Sequence, residues 1–324
     1  MKAVVVGLGS MGKRRIRLMR EFFSEINVCG VDTNEQRRAQ TAEQFQVECY
    51  ASLKEAVTAA PDIGFVCTSP LSHSAIIKEM LENNINVFTE INLVSDGYEK
   101  NCALAQKKGL ELFLSSTPIY RRETQYIERR AQEAQCPLFY RYHVGQYLPD
   151  WHPWENYRDF FVGDRRTNGC REIFGIELPW LVRAFGDIES TAEVKARQSS
   201  LVIDYADSYL VTLSHSSGIC GQLAVDIVSR KAVRDFELFG EKLYLRWGGT
   251  PSSLSEYDFE RKEDMPIDTY GSVRRDERYA ENIIENAYVD EMAAFFAVLR
   301  GEKARRHTFE HDKELLRIID EIER

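Results

Sequence analysis

The sequence has no C-x-x-C pair, no block of basic residues and no apolar run approaching the ~20 residues that a membrane span requires. Its seven cysteines, at 29, 49, 67, 102, 136, 170 and 220, are odd in number and scattered. That spacing argues against a disulfide framework and a zinc knuckle, and it fits a reducing cytoplasm. Lysine and arginine total 42 against 51 aspartates and glutamates, a formal charge of -9. An acidic chain without a basic block cannot neutralise a phosphate backbone, so neither nucleic acid nor membrane is expected as a partner and small molecules are favoured. The KAVVVG that follows Met1 is too short for the core of a signal peptide. Internal repeats and low-complexity segments are also missing.

What is present is a globular composition, 44% hydrophobic and 29% charged, over 324 residues, enough for two domains of the usual size. Short β-branched runs alternate with amphipathic stretches as far as residue 115: AVVVG, NVCGVD, IGFVCTS, NVFTE and LELFLSS, with helical patterns between them. Continuous apolar strands separated by helices predict a parallel sheet buried on both faces. Beyond about 118 the rhythm becomes a helix, a strand (PLFYRYHV), an aromatic loop and a helical run to Phe185. Strand-like segments then follow in close succession between 193 and 247. This predicts an α/β domain over 1–118 and an α+β domain with a largely antiparallel open sheet over 119–324. Residues 251–279 read as irregular surface, and helical patterns over 280–300 and 309–323 close the chain.

GLGSMG, residues 7–12, is a G-x-G-x-x-G placed after a strand and before a helix, and Asp32 follows at the end of the second strand. Gly7 permits the tight turn, Gly9 lets backbone amides approach a pyrophosphate, and Gly12 lets helix and strand pack closely. Leu8, Ser10 and Met11 complete the loop, and the helix N-terminus favours the anion. This is the fingerprint of a Rossmann doubly wound sheet. Asp32 would accept from a ribose 2'-hydroxyl and repel a 2'-phosphate, so NAD is preferred, with Arg37 and Arg38 close enough in sequence to keep NADP open.

A second constellation runs from TSPLSH through INVFTEINL. Here the chain resembles the glucose–fructose oxidoreductase, inositol dehydrogenase and rhizopine-catabolism family of NAD(P)-dependent sugar oxidoreductases. The resemblance implies that Thr68, Ser69 and Pro70 line the cofactor, that His73 sits on its ribose or nicotinamide side, and that Glu90 faces the nicotinamide. It also implies a second domain for substrate binding and homo-oligomer formation, as dimer or tetramer. Read without the family, His73 is a helix N-terminal residue with no chemistry.

The family's lysine and proline after that glutamate are Ile91 and Asn92 here. Isoleucine can neither transfer a proton nor hydrogen-bond a hydroxyl. The family's second signature is an aspartate and, four residues on, a histidine. NGCREIFGIELPW, residues 168–180, takes that place, with Ile173 at the aspartate, Glu172 beside it and Glu177 at the histidine. Glu177 is either the replacement general base or a carboxylate at a helix start, with Pro179 in the first turn. Between the signatures lie His143, Tyr147, Trp151, His152, Trp154, Tyr157, Arg165, Arg166 and Arg171. Such residues can pack on a sugar ring and clamp a carboxylate or phosphate, or they can form an aromatic loop packed on the sheet or in a subunit interface. The resemblance implies that Tyr120 and Arg121 face the substrate too.

HTFEH, residues 307–311, matches a zinc-protease pattern but reads as a helix start capped by Thr308. The function expected is hydride transfer between NAD and a carbohydrate, with Glu177 and Glu90 as catalytic candidates. The alternatives are a redox-neutral lyase or glycosidase of the same fold and an NAD-binding sensor or scaffold.

Overall fold

The computed structural model describes residues 1–153, 155–276 and 282–324. Trp154 and part of the predicted 280–300 helix lie outside the described residues. The chain divides into two compact units: Met1–Ser115 with Glu291–Lys313, and Ser116–Asp290 with Glu314–Arg324.

The first unit runs β1 (Lys2–Val6), α1 (Ser10–Phe22), β2 (Asn27–Val31), α2 (Glu35–Phe45), β3 (Cys49–Tyr50), α3 (Leu53–Ala56), β4 (Ile63–Val66), α4 (Pro70–Glu82), β5 (Asn86–Thr89), α5 (Tyr98–Lys108) and β6 (Leu112–Leu114). Its six strands pair in the order β3-β2-β1-β4-β5-β6, all parallel, which is the Rossmann order. The apolar strands are buried because helices cover both faces, and β4 is buried along its whole length. Sequence punctuation sets the helix starts: the Asn34 side chain accepts the Arg37 N–H before α2, and Pro70 opens α4. The two-residue β3 carries too little pattern to be read from sequence.

The second unit contains α6 (Arg122–Glu133), β7 (Phe139–Gly145), α7 (Gly169–Phe185), β8 (Ile188–Ala196), β9 (Ser208–His215), β10 (Cys220–Asp226), β11 (Val233–Gly240), β12 (Leu243–Trp247), β13 (Leu254–Asp258) and β14 (Glu263–Pro266). These strands form an eight-stranded sheet, β14-β13-β12-β11-β7-β10-β9-β8, antiparallel except for the β7–β10 pair. Alternation gives it two unlike faces. Tyr140, Tyr142, Phe236 and Trp247 are buried on one, where Trp180 of α7 packs edge-on against Tyr142, Phe236 and Trp247. Phe139, Val194 and Leu210 on the other are at least half exposed, at 50%, 69% and 53%.

Two expectations need correction. The 251–279 segment holds the β13–β14 hairpin, hidden by its polar composition and by a turn that uses Lys262 at φ 59 where a glycine would have signalled it. The closing helices, α8 (Glu285–Leu299) and α9 (Phe309–Glu323), do not belong wholly to the second domain, because residues 291–313 complete the first. The reason is apolar: Phe295 is fully buried against Phe65, Phe88 and Phe113, at ring-centroid distances of 5.7, 5.5 and 5.4 Å. No helix among the described residues is long and apolar enough to cross a membrane. Phe295→Ala is expected to destabilise the protein by about 3–5 kcal/mol through the cavity it leaves in the first unit. Equilibrium urea unfolding checks this, and a change under about 1 kcal/mol would return the segment to the second domain alone.

Candidate functional site

The glycine loop is built as the fingerprint requires. Gly7 sits at φ 94, and a Cβ there would lie 2.6 Å from the Cys67 carbonyl oxygen. A Cβ on Gly12 would lie 1.8 Å from the Gly7 carbonyl oxygen, so helix and turn could not close. Gly9 differs, since a Cβ there would meet nothing within 4 Å. Its open side, at the N-terminus of a helix with no acidic residue in its first turn, fits a pyrophosphate. Asp32 accepts the Leu8 N–H through Oδ2 and the Asn34 N–H through Oδ1, both at 2.8 Å, and so ties the end of β2 to the loop. Arg38 donates to the Asp32 and Thr33 carbonyls, while the half-exposed Arg37 stands 3.9 Å from the Asp32 carboxylate.

Glu90 at the end of β5 is not the isolated carboxylate that its sequence neighbours suggest. Arg15 of α1, fully buried, grips it through Nε at 2.6 Å and Nη2 at 3.1 Å, and reaches Glu291 with Nη2 at 2.8 Å. The guanidinium lies 4.6 Å from the Phe88 ring centroid. Burial works against the arginine's charge, but Glu90 and then Glu291 outweigh it and raise its pKa. Glu291 is pushed up by burial despite Arg15. The Cys67 thiol, beside Glu90, is likewise pushed up, chiefly by burial.

His73 is 2% exposed and does not open toward a ligand. One ring nitrogen lies 2.9 Å from the Thr68 carbonyl oxygen and the other 2.7 Å from the Asn92 side-chain amide. Burial lowers its pKa, so the neutral ring buttresses the turn after β4. Ser69 is the N-cap of α4, and Thr68 Oγ1 is 2.7 Å from Ser72 Oγ. Among the described residues every peptide bond is trans, including the one before Asn92.

In the second unit the structure corrects the placement of Glu177 at a helix start. Asn168 caps α7 by accepting the Arg171 N–H, so Glu177 lies mid-helix and Pro179 is interior, not in the first turn. Glu177 is 1% exposed; Oε2 accepts from Tyr142 Oη and Trp180 Nε1, both at 2.7 Å, and Oε1 from Arg234 Nη2 at 2.5 Å. Both oxygens accept hydrogen bonds within the fold, so the carboxylate orients its neighbours. Glu172 is separated from it by five residues, roughly 140° around the helix, and the two do not share a face. Glu172 is half-buried, but its Oε2 is sealed from water without a hydrogen-bond partner. Burial moves its pKa from the ordinary 4.5 to about 8.

Several substrate candidates are committed to the fold. Arg121 donates to Glu123, to the Gly249 and Asn282 carbonyls, and stacks over Trp247; Tyr120 is 4% exposed in the turn before α6. Arg171 is tied to Asp320 and Glu323 of α9. His143 projects on the exposed sheet face and pairs with Asp226 at 2.7 Å. In the aromatic loop Trp151 donates to the Gln146 carbonyl, His152 pairs with Glu155, and the Tyr157 hydroxyl accepts the Val202 N–H. These contacts favour the packed-loop reading over a sugar platform. Arg165, with Lys195, Arg197 and Tyr209, instead lines a separate open cavity of about 410 Å³ that contains neither Glu177 nor Glu172. At 307–311 the Thr308 hydroxyl accepts the His311 N–H, while His307 turns to Asp312. Sequence reasoning missed Arg15 and Arg234, whose partners lie 75 and 57 residues away.

Residues 1–115 match the profile of the oxidoreductase family with an NAD-binding Rossmann fold. This part of the chain is an NAD-binding Rossmann domain. No curated protein matches the sequence. Solved structures share the fold over the full length. UDP-N-acetylglucosamine 3-dehydrogenase GnnA from Acidithiobacillus ferrooxidans is 16% identical with a TM-score of 0.77, covering 100% of this chain and 96% of its own. The WlbA dehydrogenase from Bordetella pertussis, solved with NADH and UDP-GlcNAcA, is 15% identical at TM-score 0.79, covering 99% and 94%. Biliverdin reductase from Synechocystis, solved with biliverdin and NADP+, is 18% identical at 0.74, covering 99% and 97%.

The Glu172 shift predicts a pH-dependent stability. Below about pH 4.5 the carboxyl is neutral folded and unfolded; as pH rises through about 8 the folded state must bury a charge, and stability is lost. Glu172→Gln stays neutral, so its melting temperature should gain on the native chain between about pH 5 and about pH 9. A constant difference in thermal melts across that range would show that Glu172 does not titrate near 8.

Proposed function

We propose that the protein is an NAD-dependent oxidoreductase acting at a hydroxyl-bearing carbon of a sugar, sugar acid or nucleotide sugar. The observation that carries this reading is the intact dinucleotide cradle: the steric need for Gly7 and Gly12, the open side of Gly9, and Asp32 fixed at the end of β2. Bound NAD supplies the hydride acceptor. The protein's own groups hold it: loop amides and the α1 N-terminus at the pyrophosphate, Asp32 at the ribose, and the turn braced by His73 alongside. Glu90, clamped by Arg15, offers a carboxylate of fixed orientation at the end of β5. The carbohydrate class is supported by the nucleotide-sugar dehydrogenases that share the fold, while biliverdin reductase shows that the fold alone does not dictate it. The half-exposed Phe139, Val194 and Leu210 on the open sheet face support a homo-oligomer.

One observation favours a second reading, an NAD-binding protein without turnover. Ile91 replaces the family lysine and both oxygens of Glu177 are hydrogen-bonded within the fold, so neither signature position presents an unengaged proton-transfer group. A single assay separates the two: NADH formation with a panel of nucleotide sugars and sugar acids. At least one should reduce NAD, with NADP the poorer acceptor, and Asp32→Ala should narrow that gap. NAD binding with no reduction by any member of the panel would establish the second reading.

A further inference from the structure

We infer that Arg234, held in place by Glu177, is a binding residue for an oxyanion of the substrate, a sugar carboxylate or a sugar-nucleotide phosphate. The inference deepens the reading of a carbohydrate oxidoreductase and rests on it for the identity of the ligand. Arg234 stands near the start of β11 and is bound to Glu177 through Nη2 alone. Its Nε–H is shielded from water and has no acceptor, while the side chain as a whole is 16% exposed. A buried guanidinium donor without an acceptor is costly to leave unmet, and an arriving anion removes that cost.

The surroundings look built for this guanidinium. Gly249, at φ 83, passes so close to the arginine stem that a Cβ there would lie 2.8 Å from Arg234 Cβ. On the other side, Tyr142 and Trp180 fix Glu177 through Oε2 and leave Oε1 for the arginine. Arg121, by contrast, donates to Glu123 and two carbonyls, and Arg171 is held by Asp320 and Glu323 of α9. The position that the family gives to a histidine thus orients a permanent cation. An arginine cannot serve as a base near neutral pH, but it can anchor an anion with directional hydrogen bonds.

The test measures binding of glucose, glucuronate, UDP-glucose and UDP-glucuronate by calorimetry in the presence of NAD. The double variant Arg234→Gln/Glu177→Gln avoids stranding a buried charge and keeps an acceptor for Tyr142 and Trp180. The native protein should bind charged sugars in preference to glucose, and the double variant should lose about 10- to 100-fold in affinity for them while keeping its NAD affinity. A loss confined to the two uronates assigns a carboxylate; a loss shared by UDP-glucose assigns a phosphate. Arg234→Lys, which keeps the charge without the fork, should fall between. Equal affinity in the native and double-variant proteins, or no charged sugar bound by the native protein, would overturn the inference. Anion binding that depends on Arg234 without any hydride transfer would remove the oxidoreductase reading and leave the anion contact standing.

Discussion

Arg15 is the constraint on which the nucleotide-binding unit depends. Glu90 and Glu291 are 7% and 0% exposed, and a buried carboxylate must be paired or neutralised. One guanidinium serves both, reaching from α1 to the end of β5 and to α8. Removing it would leave two uncompensated acids, a change of the kind that costs ~3–5 kcal/mol. The same contact sits on the helix that begins at the glycine loop, so cofactor cradle and strand-end carboxylate share one rigid support. The aromatic ring of Phe88 under the guanidinium and Phe295 beside that ring extend the support into the core.

The second unit repeats the solution. Glu177 is buried, receives three donors and pairs with an arginine from a distant strand. At both signature positions a carboxylate is therefore locked by a guanidinium. Such pairs add directional order, and their net stabilisation is small because desolvation offsets attraction. Their value lies in geometry: Glu90 and Arg234 are fixed groups. Glu172, with a pKa of about 8, is a different kind of group, unpartnered at Oε2 and on another side of the same helix.

Local chemistry was legible in the sequence. GLGSMG between a strand and a helix, Asp32 at the next strand end and the alternation of apolar strands with helices each carry their meaning in a few adjacent residues. The reading failed where meaning depends on distant partners. Nothing near VFTEINLV reveals Arg15, and nothing in GIELPW reveals Arg234. Helix phase was lost at α7 because Pro179 suggested a first turn, when Asn168 eleven positions earlier was the cap. The β13–β14 hairpin was lost because its strands are polar and its turn has no glycine. Arg171 and His143 have the chemistry of ligand contacts, and the resemblance implies a substrate role for Arg121, but tertiary partners engage all three.

The most direct measurement of the central claim is isotopic. The protein is loaded with NAD and incubated with nucleotide sugars and sugar acids deuterated at their hydroxyl-bearing ring carbons, and the recovered dinucleotide is analysed by mass spectrometry. Net hydride transfer predicts deuterium at nicotinamide C4 of the NADH that is released. A dinucleotide that stays unlabelled with every sugar the protein binds would contradict net hydride transfer to NAD.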